Sequence, residues 1–313
     1  MGSAYHKPVL ADESVRALQI LPGGIYVDAT YGGGGHAKRI LDLLGPQGRL
    51  IAFDRDEDAL QNRIEDERLT LIPHNFRYLK RYLRLEGYRR VDGILADLGV
   101  SSFQLDTPER GFSYRFQAGL DMRMDRNLER TAADILNRET AAQLQEIFGR
   151  YGEVRNARSL ARAIVEARRV NDIRTVQRFL EVIGPWVRGD RHRYLSQVFQ
   201  ALRIAVNDEM GALRDFLHDA AEVLRPGGRL VIISYHSLED RMVKHFMKTG
   251  SVTGVPEKDF YGRVIRPLKM LSKKPVLPSA EEIAQNPRAR SAKMRFAEKI
   301  ETTAHSAHGD QRK

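Results

Sequence analysis

The sequence predicts an α/β fold, a mainly parallel sheet interrupted by an all-helical insertion. Three observations carry that expectation. Four short apolar runs alternate with amphipathic segments through the first hundred residues; from about 105 to 224 only helical periodicity is present; strand character returns at RLVIISYHS, residues 229–237. Strands that alternate with helices are joined by right-handed crossovers, which build a parallel sheet.

Taken in order, the strands are IYVDA (25–29), RLIAFD (49–54), LTLIPH (69–74) and VDGILADL (91–98). In the helical stretch, Leu160, Ala163, Ile164 and Ala167 recur at i, i+3, i+4 and i+7, while Arg158, Arg162 and Arg169 fall near the other face. From Leu195 through Val198, Leu202, Val206, Leu213, Leu217 and Leu224 the spacing predicts one long helical stretch, ended by Pro226-Gly227-Gly228. A helical block between the fourth and fifth strands is an insertion, because the sheet must resume where it stopped. Such insertions sit at the C-terminal edge of the strands, beside the ligand crevice. Residues 1–104 and 206–313 are therefore expected to form a discontinuous sheet domain, and 105–205 an inserted helical domain for substrate recognition. Residues 250–291 are rich in Pro and Lys with little periodicity and read as a basic loop, followed by a last strand at SAKMRFAEKI (291–300).

At 313 residues, 42% hydrophobic and 29% charged, the chain can bury a sizeable core. It has no cysteine, which excludes disulfides, thiolate metal sites and cysteine nucleophiles and suits a reducing, cytoplasmic setting. The opening MGSAYHKPVL has neither the basic nor the apolar region of a signal peptide, and His6 breaks the myristoylation pattern. With no apolar stretch of spanning length, no membrane partner is expected. The net charge of +10 is uneven: Lys and Arg balance Asp and Glu at 14 each over 1–104, but exceed them by 18 to 13 over 105–205 and by 16 to 7 over 241–313. An excess gathered in the middle and the tail is what a polyanion-binding face needs, so nucleic acid is the expected partner.

The stretch DATYGGGGHAKRI (28–40) sets four glycines between the first strand and a helix. A loop stripped of side chains turns sharply or lets a ligand approach its backbone. Gly32-x-Gly34-x-x-Ala37 satisfies the dinucleotide fingerprint, and Asp54 lies 20 residues past Gly34, where an acid holds ribose hydroxyls. Asp28, directly before the loop, would meet a pyrophosphate as an unwelcome carboxylate; S-adenosylmethionine, with a cationic methionine end and no phosphate, tolerates it. His36 is either a wall of that pocket or a helix-start residue facing water. Asp97, with Gly99 after it, ends the fourth strand at the same crevice, where it is a functional carboxylate or a turn cap. Phe76 offers a flat surface for adenine or belongs to the core, and Gln104 reaches the crevice or is a polar loop residue.

Methylation of pyrimidine C5 commonly needs a thiolate, which this chain lacks, whereas an exocyclic amine needs only alignment and an acceptor for its N–H. Asp97 is placed to be that acceptor, and no metal is required. Tyr235 and His236, in SYHSLEDR (234–241), emerge at the same edge and are candidates to meet the target base; alternatively they lead into a helix capped by Ser237. RGFSYRFQAGLDMRMD (110–125) interleaves Arg110, Arg115 and Arg123 with Phe112, Tyr114 and Phe116, a composition suited to stacking and phosphate contact. Met122 and Met124 read as core or lid. Arg288 and Arg290, with Lys293 and Arg295, form a basic patch in the tail or a solvated strand face.

In combination, DATYGGGGH, IAFDRD, ILADLGVSS, RGFSYRF…LDMRMD, YGE, FQALRIAVNDE, PGGRLVIISYHSLEDR and NPRARSAKMR closely resemble the RsmH/MraW family of bacterial small-subunit ribosomal RNA cytosine-N4 methyltransferases, from His6 to about Lys299. The resemblance implies a class I S-adenosylmethionine-dependent methyltransferase sheet, Rossmann-like, with an inserted helical domain. It implies N4 methylation of a cytidine in the decoding centre of 16S ribosomal RNA, near the P site, with the small ribosomal subunit as partner. Carried over by motif, Gly34, Gly35, His36, Asp54, Phe76, Asp97 and Gln104 contact the cofactor. That gives Asp97 a second use, at the methionine amino end. A homodimer is compatible with such a chain. Two other readings stand beside it: an RNA-binding assembly factor that keeps the cofactor site, which intact Asp28, Asp54 and Asp97 disfavour, and an NAD-dependent oxidoreductase, which Asp28 disfavours.

Overall fold

The computed structural model describes residues 8–60 and 63–301. After α1 (Ala11–Leu18) the chain alternates β1 (Ile25–Asp28), α2 (Gly35–Leu41), β2 (Arg49–Phe53), α3 (Glu57–Leu60), β3 (Leu69–Ile72), α4 (Leu79–Leu85) and β4 (Val91–Asp97). A helical run follows: α5 (Ser102–Asp106), α6 (Ala132–Arg138), α7 (Ala141–Gly152), α8 (Ala157–Val170), α9 (Val176–Ile183), α10 (Arg191–Asn207) and α11 (Glu209–Val223). The chain then completes the sheet through β5 (Leu224–Ser234), α12 (Ser237–Thr249), β6 (Leu268–Met270), α13 (Ala280–Gln285) and β7 (Lys293–Lys299). The strand order is β3-β2-β1-β4-β5-β7-β6, with β3, β2, β1, β4 and β5 parallel and β7 antiparallel to both its neighbours. This is the Rossmann-like class I arrangement, and the four predicted N-terminal strands lie where the apolar runs placed them.

The strands read as nearly continuous apolar runs because both faces are covered. Alternate residues serve opposite faces: Val27, Ile51, Ile94 and Ile232 pack with Phe216, Leu217 and Phe246, whereas Tyr26, Leu50, Leu95 and Val231 pack with Leu18 and Ile40. Gly93 in β4 is dictated by contact, since a Cβ there would lie 2.8 Å from the Tyr26 ring. The order reverses between β1 and β4, and the crevice outside their C-terminal ends is where an open α/β sheet binds its ligand.

The helical run has a core of its own. Leu136, Leu144, Phe148, Leu160, Ile164, Phe179 and Leu202 are fully buried together, with Met122 and Met124 among them. In α8 the buried positions are Ala157, Leu160, Ala161 and Ile164; Ala163, expected on that face, is only partly covered. Among the described residues no helix is long and apolar enough to cross a membrane.

Two elements differ from expectation. The single long helix expected over 195–224 is two, broken at Asp208, which adopts φ 45 in the left-handed region. Beside the break a tertiary contact is made: the Asn207 amide accepts from the Met124 N–H at 2.8 Å and donates to the Met122 and Arg203 carbonyls at 2.7 and 2.9 Å, anchoring the insertion to the returning chain. The second helix stops at Val223, ahead of Pro226, and regular pairing with β4 resumes at Arg229. The segment 250–291 is also more ordered than a loop, since it contains β6, α13 and a short hairpin closed by a bridge between Lys258 and Val264. Low periodicity hid them because each is only a few residues long.

Asn207→Ala is expected to lower stability by about 3 kcal/mol, since it strands the buried Met124 N–H and two carbonyls at once. A urea denaturation curve measures this, and a shift under 1 kcal/mol would deny the anchor its importance.

Candidate active site

The C-terminal ends of β1, β2 and β4 open into a cleft of about 1050 Å³, walled on the far side by the helical unit. The glycine loop enters it. Gly32 and Gly34 have φ of 52 and 74, conformations that side chains rarely adopt, and Gly34 precedes the first turn of α2. A Cβ on Gly35 would press within 3.1 Å of the Pro8 ring, so this glycine serves close packing. The loop is tied down from across the crevice, where Asp54 accepts the Gly32 N–H at 2.7 Å and the Asp56 N–H at 2.8 Å. Burial raises the Asp54 pKa, and the two N–H groups oppose the rise.

Asp28 and Asp97 end adjacent parallel strands and are joined by Thr30. The Thr30 N–H donates to Asp28 Oδ1 at 3.1 Å, and its Oγ1 accepts the Asp97 N–H at 2.7 Å. Asp28 is fully buried, and its Oδ2 has no hydrogen-bond partner. Asp97 Oδ1 accepts from the Tyr235 hydroxyl at 2.8 Å. Both carboxyl pKa values are pushed up to about 7, chiefly by burial. The negative charge of Asp28 adds to the rise at Asp97, and the Tyr235 hydrogen bond opposes it. Tyr235 is in turn raised well above the usual phenol value by burial and by Asp97, so it remains a proton donor.

His36 faces the same point. It is buried, and its Nε2 lies 3.1 Å from the Val9 carbonyl, which requires the hydrogen on that nitrogen. Nδ1 is left as a lone pair 3.8 Å from Asp97 Oδ2. Burial lowers the His36 pKa to about 4, so at neutral pH this contact is dipolar and not an ion pair.

Phe76 and Gln104 also line the cleft. Phe76 packs edge-on against Phe216 at 5.2 Å, which sets the angle of its ring. Gln104 closes a capping box with Ser101 at the start of α5 and donates through Nε2 to Asp56 Oδ2. Asp56 is the residue the sequence reading missed. It is buried and forms a two-pronged pair with Arg110, Nη1 to Oδ1 at 3.1 Å and Nη2 to Oδ2 at 3.0 Å. Its only signal in the sequence is its place two residues after Asp54.

That pair corrects the expectation for Arg110. The residue is buried, and besides Asp56 it donates to the carbonyls of Arg123 and Met124, so it clamps the insertion to the sheet and offers nothing to a phosphate. Arg123 is likewise directed at Asp121 and at the carbonyls of Arg126 and Leu128. Arg115 is exposed and lines the cleft; Arg288 lines it too, paired with Asp106, and Arg290 is exposed in the turn beside it. Arg295, from the same basic patch, is buried against Asp240.

His236 is the N-cap of α12, a role the sequence reading gave to Ser237, and its Nδ1 accepts the Glu239 N–H at 3.4 Å. Its ring is a cleft wall held from behind. Glu239 also accepts the Tyr235 N–H at 2.9 Å and so fixes the peptide that carries the phenol. The donor atoms of Glu209, His236 and Glu239 lie within 4.8 Å of one another, but the compensating cation at this cluster is Arg203, which grips both oxygens of Glu209 at 2.8 and 3.0 Å.

The model of the MraW methylase family matches residues 3–300. The ribosomal RNA small subunit methyltransferase H of Phocaeicola vulgatus is 54% identical over 296 residues, spanning 94% of this chain and 97% of that protein. Its counterpart in Flavobacterium johnsoniae is 54% identical over 297 residues, 95% and 98% of the two chains. That of Parabacteroides distasonis is 52% identical over 300 residues, again 95% and 98%.

Two outcomes test this geometry. Arg110→Ala leaves the Asp56 charge buried and unpaired and is expected to cost about 3–5 kcal/mol in thermal or urea unfolding; an exposed RNA contact would show almost no loss. Asp28 and Asp97 hold protons more tightly folded than unfolded, where a carboxyl titrates near 4 (about 3.9 for Asp). The ligand-free protein should therefore lose stability as pH rises from about 4 to about 7 and level off above. If Asp28 and Asp97 face the cationic end of S-adenosylmethionine, calorimetric affinity for it should rise through the same window as they ionise. Affinity flat from pH 6 to 8 would contradict that placement.

Proposed function

The chain belongs to the MraW methylase family, and we propose that it methylates the exocyclic N4 of a cytidine in the decoding centre of 16S ribosomal RNA. It is an S-adenosylmethionine-dependent methyltransferase of small-subunit ribosomal RNA; its relatives of more than 50% identity are named ribosomal RNA small subunit methyltransferase H. The choice of atom rests on one observation above the others: Asp97, positioned by Thr30 and Tyr235, presents a carboxyl in the cofactor crevice; its place in the RNA is what the motif resemblance implies.

The cleft suits S-adenosylmethionine. A buried carboxylate oxygen on Asp28 without a partner matches a cationic methionine end, the side-chain-free, left-handed backbone at Gly32 and Gly34 admits a ligand closely, and Phe76 lies along the wall for an adenine. When bound, the cofactor supplies an electrophilic sulfonium methyl. The remaining work falls to the chain. Gly34, Gly35 and His36 form one wall, Asp54 faces the ribose, and Gln104 holds the loop end. Asp97 accepts an N–H of the target amine, turning the nitrogen lone pair out of ring conjugation and toward the methyl; such alignment, with an acceptor ready for the proton, is the main source of rate. The Tyr235 hydroxyl keeps the carboxyl oriented, and the neutral His36 beside it adds no charge that would compete for Asp97.

A cytosine paired within structured RNA is out of reach of such a pocket, so the base is unstacked or already single-stranded when it enters. We read the helical unit as the domain that receives it, with Arg115 and the exposed Phe116 at the cleft mouth and Arg288 and Arg290 from the sheet side.

Methyl transfer from labelled S-adenosylmethionine to small subunits lacking the native modification, followed by nucleoside analysis of the digested RNA, is expected to yield N4-methylcytidine. Label in another nucleoside would refute the atom assignment. Asp97→Asn should reduce kcat about 100-fold or more, and Tyr235→Phe about tenfold while cofactor affinity changes little. If Asp97→Asn preserved both cofactor binding and turnover, its proposed role would be wrong.

A further inference from the structure

Far from the cleft, the segment between α12 and β6 carries an unusual surface. Phe260 is 98% exposed and its neighbour Tyr261 77%, and their rings meet edge to face at 5.6 Å. Two adjacent bare aromatics cost solvation, and folding alone gives no reason to keep them there. The backbone beneath them is well tied. The Ile265 N–H donates to the Glu257 carbonyl at 2.8 Å, the Asp259 N–H to the Arg263 carbonyl and the Gly262 N–H to the Asp259 carbonyl, each at 2.9 Å. Asp259 Oδ1 accepts the N–H groups of Tyr261 and Arg263 at 2.9 and 2.8 Å. The rings thus sit on a preorganised hairpin tip.

Around the tip the charge is one-sided. Residues 257–274 hold six cations, Lys258, Arg263, Arg266, Lys269, Lys273 and Lys274, against Glu257 and Asp259. All six are exposed, and among the described residues none forms an ion pair. The sheet explains the distance from the cleft. Tyr235 and His236 leave β5 at its C-terminal end, whereas Leu268 of β6 lies opposite Lys299, one residue past the Glu298 that pairs with Arg229 where β5 begins to pair with β7. Between them α12 carries the chain about 20 Å, at 1.5 Å per residue, to the other end of the sheet.

We infer that the hairpin 257–265 is a second RNA contact, in which Phe260 and Tyr261 stack on an unpaired base while Lys258, Arg263 and Arg266 meet the flanking phosphates. Exposed aromatics interleaved with unpaired cations are the means by which proteins hold single-stranded nucleic acid without reading its sequence. The inference rests on the proposal that small-subunit RNA is the substrate, and it adds an anchor remote from the chemistry. A substrate much larger than the enzyme can engage both ends of the sheet at once.

The test uses the full chain, Phe260→Ala/Tyr261→Ala, Phe260→Tyr, and a Lys258→Gln/Arg263→Gln/Arg266→Gln variant. Affinity for isolated small subunits is measured by sedimentation, and KM, kcat and cofactor affinity separately. The double alanine variant is expected to weaken subunit binding and raise KM about tenfold, with kcat and cofactor affinity at the wild-type level. Phe260→Tyr should restore binding, and the charge variant should flatten the dependence of binding on salt. Wild-type binding and KM in the double variant would overturn the inference and leave the methyl-transfer reading standing. Subunit binding that depends on the hairpin in a wild-type protein that transfers no methyl would do the reverse. Loss of binding to phosphatidylglycerol vesicles, with subunit binding intact, would assign the tip to a lipid surface and overturn it.

Discussion

Two carboxyl groups, Asp28 and Asp97, side by side at the ends of adjacent parallel strands, the first fully buried and the second partly so, are the constraint on which the rest of this structure depends. Burying a carboxylate without a cation is costly, and a protein ordinarily answers with a lysine or arginine. Among the described residues neither Asp28 nor Asp97 has one. His36, 3.8 Å from Asp97, is kept neutral by its own burial. The arrangement is locally unfavourable, and in the proposed reading the cationic methionine end of the cofactor would relieve it.

The surroundings follow from that choice. Thr30 couples the two strand ends, so the carboxyls cannot drift apart. Tyr235 donates to Asp97, and Glu239 holds the peptide that carries Tyr235, from the first turn of α12. Burial works to raise the Glu239 pKa, but His236 and Arg203 beside it hold it below the usual carboxylate value. A cation is thus present nearby but one layer back, where it orders the wall without neutralising the site. The Asp54-Arg55-Asp56 run after β2 works similarly. Asp54 ties the glycine loop, Arg55 donates to Met124 Sδ and the Asn207 carbonyl, and Asp56 grips Arg110. One short turn joins ligand loop, sheet and helical insertion, so the geometry of the cleft and the seating of the insertion are coupled.

Charge on the surface and charge in the interior play separate parts. Of the arginines singled out by composition, Arg110 is inside and holds the two units together through Asp56, and Arg123 is spent within the insertion on Asp121 and two carbonyls. Arg115, Arg290 and the cations around the hairpin at 257–265 face solvent. Net charge is a property of the whole chain, and only burial separates the cations that meet a polyanion from those that meet an aspartate.

Local physics explains what the sequence by itself determined. Parallel strands covered on both faces must be apolar runs, the glycine loop must precede a helix, and a helical block between strands four and five must be inserted; these depend on residues close together in the chain. The carboxylates at strand ends, Asp28, Asp54 and Asp97, were visible for the same reason, because a strand's end is a local feature. Tertiary structure alone decided that Asp56 and Arg110, 54 positions apart, pair in the interior, that Asn207, beside the break between α10 and α11, holds Met122 and Met124, and that His236 and not Ser237 caps α12. Each depends on which groups are brought together after folding, where a partner and the loss of water outweigh local propensity. The exposure of Phe260 and Tyr261 belongs with them, since periodicity describes what a segment can bury but not what the finished fold leaves uncovered.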